Sequence, residues 1–185
     1  PMSMESGEFT YHATSKDAVV SFRPEEKAVL FEALFDTISE YRSKIRIFSP
    51  RISLYTMMNF YGNGTKIDYP CRGGIDFFYL DAQDGHVYPC GYRAEDDLGE
   101  IWDVDLNSLR LQEPKCIKCD WECFRDPTEL MQPLIEIYHN TLPSIKKLFT
   151  EEKMHIWLKD ILYYYACDFF NGRKAPKYAK MNFFS

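Results

Sequence analysis

Apolar positions recur at helical spacing in three stretches of the chain and alternate in a few short runs between them. Leu30, Leu34, Ile38 and Tyr41 stand three or four residues apart, with Phe31 and Phe35 widening the stripe. This spacing predicts a helix from about Pro24 to Arg42. Pro24 in the first turn, and Glu25 and Glu26 beside the positive end of the helix dipole, mark its start. Lys44 to Phe48 alternates, with Ile45 and Ile47 on one side, and is expected as a strand; Ala18 to Phe22 is a second, shorter β-prone run. Ser49-Pro50 is expected to open another helix through about Tyr61, with Gly62 ending it. Strand, helix, strand, helix is the grammar of an α/β sheet. One such unit cannot bury both faces of a parallel sheet, so most of that sheet is expected to lie outside this chain.

From Asn63 to about Arg125 the pattern breaks into turns, short strands and cysteines. Ile75 to Leu80 reads as a strand, Asp84-Gly85 as its turn and His86 to Tyr88 as the return. Leu98-Gly99 and Asp103 to Leu111 give a second, weakly structured crossing. Helical spacing returns at Asp126, where Asp126-Pro127 reads as a cap followed by a first-turn proline. Leu130, Leu134, Ile137 and Tyr138 then form an apolar face, which Pro133 and Pro143 are expected to break or kink. A last helix is expected from about Glu151 to Asn171, with Gly172 as its stop. Met154, Trp157, Leu158, Ile161, Leu162 and Tyr165 are its buried face. The expected divisions are a disordered or non-native lead (1–17), an α/β unit (18–62), a cysteine-rich domain (63–125) and a C-terminal helical extension (126–185). The fold class is α+β.

Composition narrows the setting. With 185 residues, 45% of them hydrophobic, the chain is long enough for one sizeable core with an appendage. A net charge of −6 would repel nucleic acid and anionic membranes, and neither is expected as a partner. No apolar run reaches the ~20 residues of a membrane span, and no secretory leader is evident. Six cysteines suffice for three disulfides. In a chain this rich in core residues, however, Cys-x2-Cys spacing reads better as metal ligation in a reducing cytoplasm.

The cysteines carry the chemistry. Cys116, Cys119 and Cys123 form Cys-x2-Cys-x3-Cys, and Cys71 and Cys90 bracket the expected hairpin. A hairpin returns the chain on itself, so thiols with eighteen residues between them can meet. Two separated thiols plus a Cys-x2-Cys pair make a four-thiolate site suited to zinc or an iron–sulfur cluster. Zinc usually takes two short knuckles, and only one is present, so the spacing leans towards the wider cluster.

Cys71-x13-Gly85-x4-Cys90 followed by Cys116-x2-Cys119 resembles the auxiliary-cluster region of radical S-adenosylmethionine (radical SAM) enzymes, the SPASM and twitch domains. Phe77-Phe78-Tyr79-Leu80-Asp81, Gly85-His86-Val87-Tyr88-Pro89-Cys90 and Leu98-Gly99 share the same flavour. The resemblance covers about residues 71–125. More weakly, 18–62 looks like the end of the partial α/β barrel of such enzymes; the helices after Asp126 are not covered. It implies a small cysteine-rich β-hairpin domain that holds one 4Fe–4S cluster through Cys71, Cys90, Cys116 and Cys119, with Cys123 as a spare ligand. A full SPASM core reads Cys-x2-Cys-x5-Cys-x3-Cys, so the shorter twitch type is nearer. The Cys-x3-Cys-x2-Cys signature that leaves an iron open for S-adenosylmethionine is absent. The resemblance therefore implies a piece of a longer enzyme, inactive alone, whose partner is a missing N-terminal radical SAM domain and whose substrate is unknown. An α/β unit without its neighbours would expose apolar surface and self-associate. The alternative reading is a non-enzymatic zinc module presenting a protein-binding surface.

Other residues take plainer readings. Cys167 lies within a helical pattern and is expected in the core. Trp121, between Cys119 and Cys123, either shields the site from water or is an ordinary core tryptophan. Arg72, Arg93 and Arg125 read as surface arginines beside the cysteines, and Asp81 and Asp84 as turn residues. The four histidines share no metal spacing, and Tyr163 to Tyr165 read as core and rim.

Overall fold

The computed structural model describes residues 22–93, 95–117, 120–138, 151–169 and 171. Among them are five helices and one two-stranded sheet, an α+β content: α1 (Pro24–Tyr41), α2 (Arg51–Asn63), β1 (Tyr79–Leu80), β2 (Val87–Tyr88), α3 (Leu106–Arg110), α4 (Glu122–Tyr138) and α5 (Glu151–Ala166). The chain divides into two compact units. One contains Pro70–Arg125; the other is made of Arg23–Tyr69 and Asp126–Ser185. Most of the expected α/β unit, from residue 23 onward, therefore shares a unit with the chain after 125. No helix among the described residues is long and apolar enough to cross a membrane.

In the helical unit, α1 begins with the Glu26 carboxylate reaching back to Arg23. The Arg23 N–H donates to Glu26 Oε2 at 2.8 Å, and the Arg23 guanidinium meets Oε1 at 3.0 Å. Phe31 and Ile38 of α1 pack with Leu54 and Met57 of α2, and Phe31 stacks on Tyr61 at 5.9 Å. α2 runs past Gly62 and ends at Gly64, whose φ of 64° closes the helix. The stop lies two residues beyond the expected one, and Gly62 is an ordinary helical residue. A second core joins Ile52, Leu130, Ile156, Trp157, Tyr163, Tyr164 and Cys167. Cys167 is fully buried, as expected, and the tyrosine run divides into buried Tyr163 and Tyr164 and exposed Tyr165.

Two helix expectations fail at prolines. α4 begins at Glu122, so Pro127 lies inside it, and the helix continues through Pro133 to Tyr138. The two prolines have no N–H to give to the carbonyls of Cys123 and Glu129. The helix persists because tertiary burial outweighs that loss: Thr128, Glu129 and Leu130 are all buried, and Trp157 Nε1 donates to the Leu130 carbonyl at 2.9 Å. α5 stops at Ala166, short of Asn171. Asp168 takes φ 50°, its N–H bonds the Tyr165 carbonyl, and the Phe169 N–H bonds that of Tyr164. The Tyr164 and Phe169 rings close this Schellman turn edge to face at 5.3 Å. Pro143 and Gly172 lie outside the described residues, as do 1–21.

The expected strand at Lys44–Phe48 does not form. Its backbone groups are met by side chains instead of a neighbouring strand. The Tyr163 hydroxyl accepts from the Ile47 N–H at 2.9 Å and donates to the Ile45 carbonyl at 3.2 Å, while the Tyr164 hydroxyl donates to the Phe48 carbonyl. Among the described residues the helical unit contains helices and no strand, while 18–21 of the other β-prone run lie outside them.

Asp160 of α5 ties this unit together. α2 has no side-chain cap of its own, and Asp160 Oδ2 supplies one by accepting from the Ile52 N–H at 2.9 Å. Asp160 Oδ1 meets Arg42 Nη2 at 2.6 Å with both side chains fully buried. The Arg42 guanidinium lies 4.3 Å from the Tyr163 ring and donates to the Ser49 carbonyl at 3.3 Å. One carboxylate thus joins the end of α1, the start of α2 and the middle of α5. Burial pushes the Asp160 carboxyl upward, opposed by Arg42 and by the donated N–H groups.

In the cysteine-rich unit, β1 and β2 pair antiparallel, Tyr79 opposite Tyr88 and Leu80 opposite Val87. These strands are shorter than the expected 75–80 and 86–88. Gly85 takes φ 79° at the turn, as the Asp84-Gly85 signal implies. Asp81 and Asp84 act within the turn: Asp81 Oδ1 accepts from Gln83 N at 2.8 Å and Asp84 Oδ1 from His86 N at 2.9 Å. Leu98-Gly99 borders β2 through two 2.9 Å bonds with Val87. The weak crossing expected at 103–111 contains α3, which Asp105 caps by accepting from the N–H groups of Asn107 and Ser108.

Candidate metal centre

The site is built on close backbone approaches. After Cys71 the chain turns tightly: the Gly74 N–H bonds the Phe77 carbonyl at 2.7 Å, and the Ile75 N–H bonds that of Arg72 at 3.0 Å. Gly74 has φ 86°, and a Cβ there would lie 2.7 Å from the Pro89 Cβ. At Gly73 a Cβ would lie 3.0 Å from the Pro89 carbonyl oxygen and 3.5 Å from Cys71 Sγ. The glycine pair therefore lets the loop after Cys71 lie against the Pro89-Cys90 segment. Cys71 also forms an antiparallel bridge with Cys116, its N–H donating to the Cys116 carbonyl at 2.7 Å.

These approaches bring three of the five expected ligands together. Cys71 and Cys90 are buried in one cluster with Phe124, and Cys116 packs against it half-buried. The Gly73 N–H donates to Cys71 Sγ at 3.4 Å. Burial pushes the Cys90 thiol upward, the Tyr92 N–H opposes that, and the neighbouring Cys71 and Cys116 add to the rise. Cys123 is exposed in the first turn of α4 and is not part of this cluster. Cys119 lies outside the described residues. Among the described residues, no group of three or more His, Cys, Asp or Glu side chains has the geometry to hold a metal ion.

Aromatic side chains wall the thiols. Trp121 stands edge-on to Tyr92 at 4.7 Å and to Phe124 at 5.2 Å, in the same cluster as Cys71 and Cys90. Trp121 therefore belongs to the shell around the cysteines. The arginines divide: Arg72 pairs with Asp76 and Arg93 with Asp96, whereas Arg125 is buried, against the surface reading. The contributions of Gly73, Gly74 and Tyr92 were missed from sequence. The Gly-Gly pair two residues after Cys71 was a legible sign of close backbone approach.

A second polar feature sits on the hairpin. His86 Nδ1 and Asp97 Oδ2 are 2.7 Å apart on the exposed surface. The hydrogen bond to Asp97 holds the imidazole above its ordinary 6.5, and Asp97 is held low, chiefly by the Gly99 N–H. The contribution from the raised histidine is complete below its unfolded value and is lost as pH rises through the folded one. That from Asp97 is lost as pH falls through its lowered value. The His86 ring proton signals should titrate above 6.5, and Asp97→Asn should move the midpoint down. A wild-type midpoint at or below 6.5 would show that the pair does not form.

Comparison of the chain with protein-family models, with curated proteins and with solved structures found no match.

Proposed function

We propose that residues 70–125 are an auxiliary 4Fe–4S region of the radical SAM type, with Cys71, Cys90, Cys116 and Cys119 as ligands and Cys123 as the substitute. The observation that carries this reading is the meeting of Cys71, Cys90 and Cys116 in one cluster through a backbone bridge and a glycine-lined turn. The donor set fits: grouped thiols, soft ligands and an aromatic shell suit an iron–sulfur cluster. When bound, such a cluster supplies electron transfer or structural support. The chain's own part is to orient the thiols, exclude water through Tyr92, Trp121 and Phe124, and offer N–H donors from Gly73 and Tyr92 to the sulfurs. Radical generation belongs to a partner region with the Cys-x3-Cys-x2-Cys motif, which this sequence does not contain.

Metal and sulfide analysis of protein purified without air tests the proposal. About four irons and four sulfides per chain, with a broad brown absorption band, are expected. One zinc and no sulfide after anaerobic reconstitution would replace this reading with a structural zinc module.

A further inference from the structure

Cys71 and Cys116 face each other across an antiparallel bridge, an arrangement no other pair of cysteines has among the described residues. A hydrogen-bonded antiparallel pair holds its Cα atoms about 5.5 Å apart, inside the span of about 4.4–6.8 Å that disulfides occupy. Residues directly opposite in such a pair carry their side chains on one face, with Cβ atoms about 5.5 Å apart, so closing the bond requires the two β-carbons to approach by about 1–2 Å. Cys90 shares the cluster but not the bridge, and Cys123 is exposed outside it. We infer that Cys71 and Cys116 form an oxidative modification site, which a hydroperoxide converts to an intramolecular disulfide when no metal holds the thiols.

Exposure sets the order of events. Cys116 is half-buried and the more accessible of the two to a small oxidant, whereas Cys71 is buried. The Cys116 thiolate attacks one peroxide oxygen; the O–O bond breaks, giving a sulfenic acid and hydroxide. The Cys71 thiolate then attacks the Cys116 sulfur. The S–S bond forms, the S–O bond breaks, and the departing hydroxide takes a proton to become water. Two thiols lose two electrons and two protons, and hydrogen peroxide is reduced to two waters.

The part of this inference that sets metal against disulfide rests on the ligation proposed above; the pairing itself rests on the bridge. The full chain, stripped of metal under reductant and desalted without air, is treated with one equivalent of hydrogen peroxide. Free thiols are then alkylated and non-reduced peptides mapped by mass. A reductant-reversible link between the Cys71 and Cys116 peptides, about 2 Da below their summed mass, is the expected dominant product. Full alkylation of both residues, or a dominant link between any other pair, overturns the inference. The Cys90→Ser variant should give the same link, and its loss there would count against a pair defined by the bridge alone. In metal-reconstituted protein the link should form about tenfold more slowly or less. An unchanged rate would remove the competition with metal while leaving the disulfide pair in place.

Discussion

Replacing Asp160 by alanine should destabilise the helical unit by about 3–5 kcal/mol in urea or thermal unfolding, the range for breaking one side of a buried ion pair. The cost is high because two losses coincide. Arg42, fully buried, keeps its charge without the carboxylate 2.6 Å away, and the Ile52 N–H at the start of α2 loses its acceptor. Asp160→Asn separates the two: it retains an oxygen for the cap while removing the charge. The asparagine variant should therefore fall between wild type and alanine. An alanine variant within about 1 kcal/mol of wild type would mean that Asp160 does not join the three helices.

The second large effect is expected at Gly74. A β-carbon there would lie 2.7 Å from the Pro89 Cβ, on a backbone at φ 86° that L side chains rarely adopt. Strain and overpacking together predict a loss of about 2–4 kcal/mol for Gly74→Ala. Pro89 precedes Cys90 and Gly74 follows Cys71 by three residues, so any relief of the clash moves two thiols apart. Under the proposed ligation the variant should also lose bound metal. Gly64→Ala is the control. Its φ is 64°, but nothing lies within 4 Å of the added carbon, so it should lose only about 1 kcal/mol and leave metal content untouched. Equal unfolding midpoints for the two variants would remove the steric argument.

What could be read from the sequence follows the range of the forces involved. α1 was legible almost to the residue because its apolar stripe and its acidic first turn are local signals. The hairpin turn at Gly85 was legible for the same reason. Lys44–Phe48 was misread because its alternation is real, but its hydrogen-bond partners are hydroxyls more than a hundred residues away. The same holds for Pro133, which local rules place at a break and tertiary burial keeps inside α4. In the site, spacing singled out Cys71, Cys90 and Cys116, which the fold brings together, and also Cys123, which it leaves exposed. The spacing of cysteines says which thiols are available. It does not say which loop, backed by Gly73 and Gly74, turns them inward.

The tyrosine hydroxyls over residues 45–48 also guard against a hazard. Ile45-Arg46-Ile47-Phe48 has the composition of an aggregation-prone edge, and Ile45 and Phe48 are exposed. Unpaired amides along such a segment are a template for a strand from another molecule. Tyr163 and Tyr164 occupy part of that hydrogen-bonding capacity from within the chain, without a neighbouring strand, beside Arg46, the one charge in the run. Solubility of the helical unit is thereby tied to two side chains of its last described helix. Damage there would appear first as association between copies, ahead of any loss of helix.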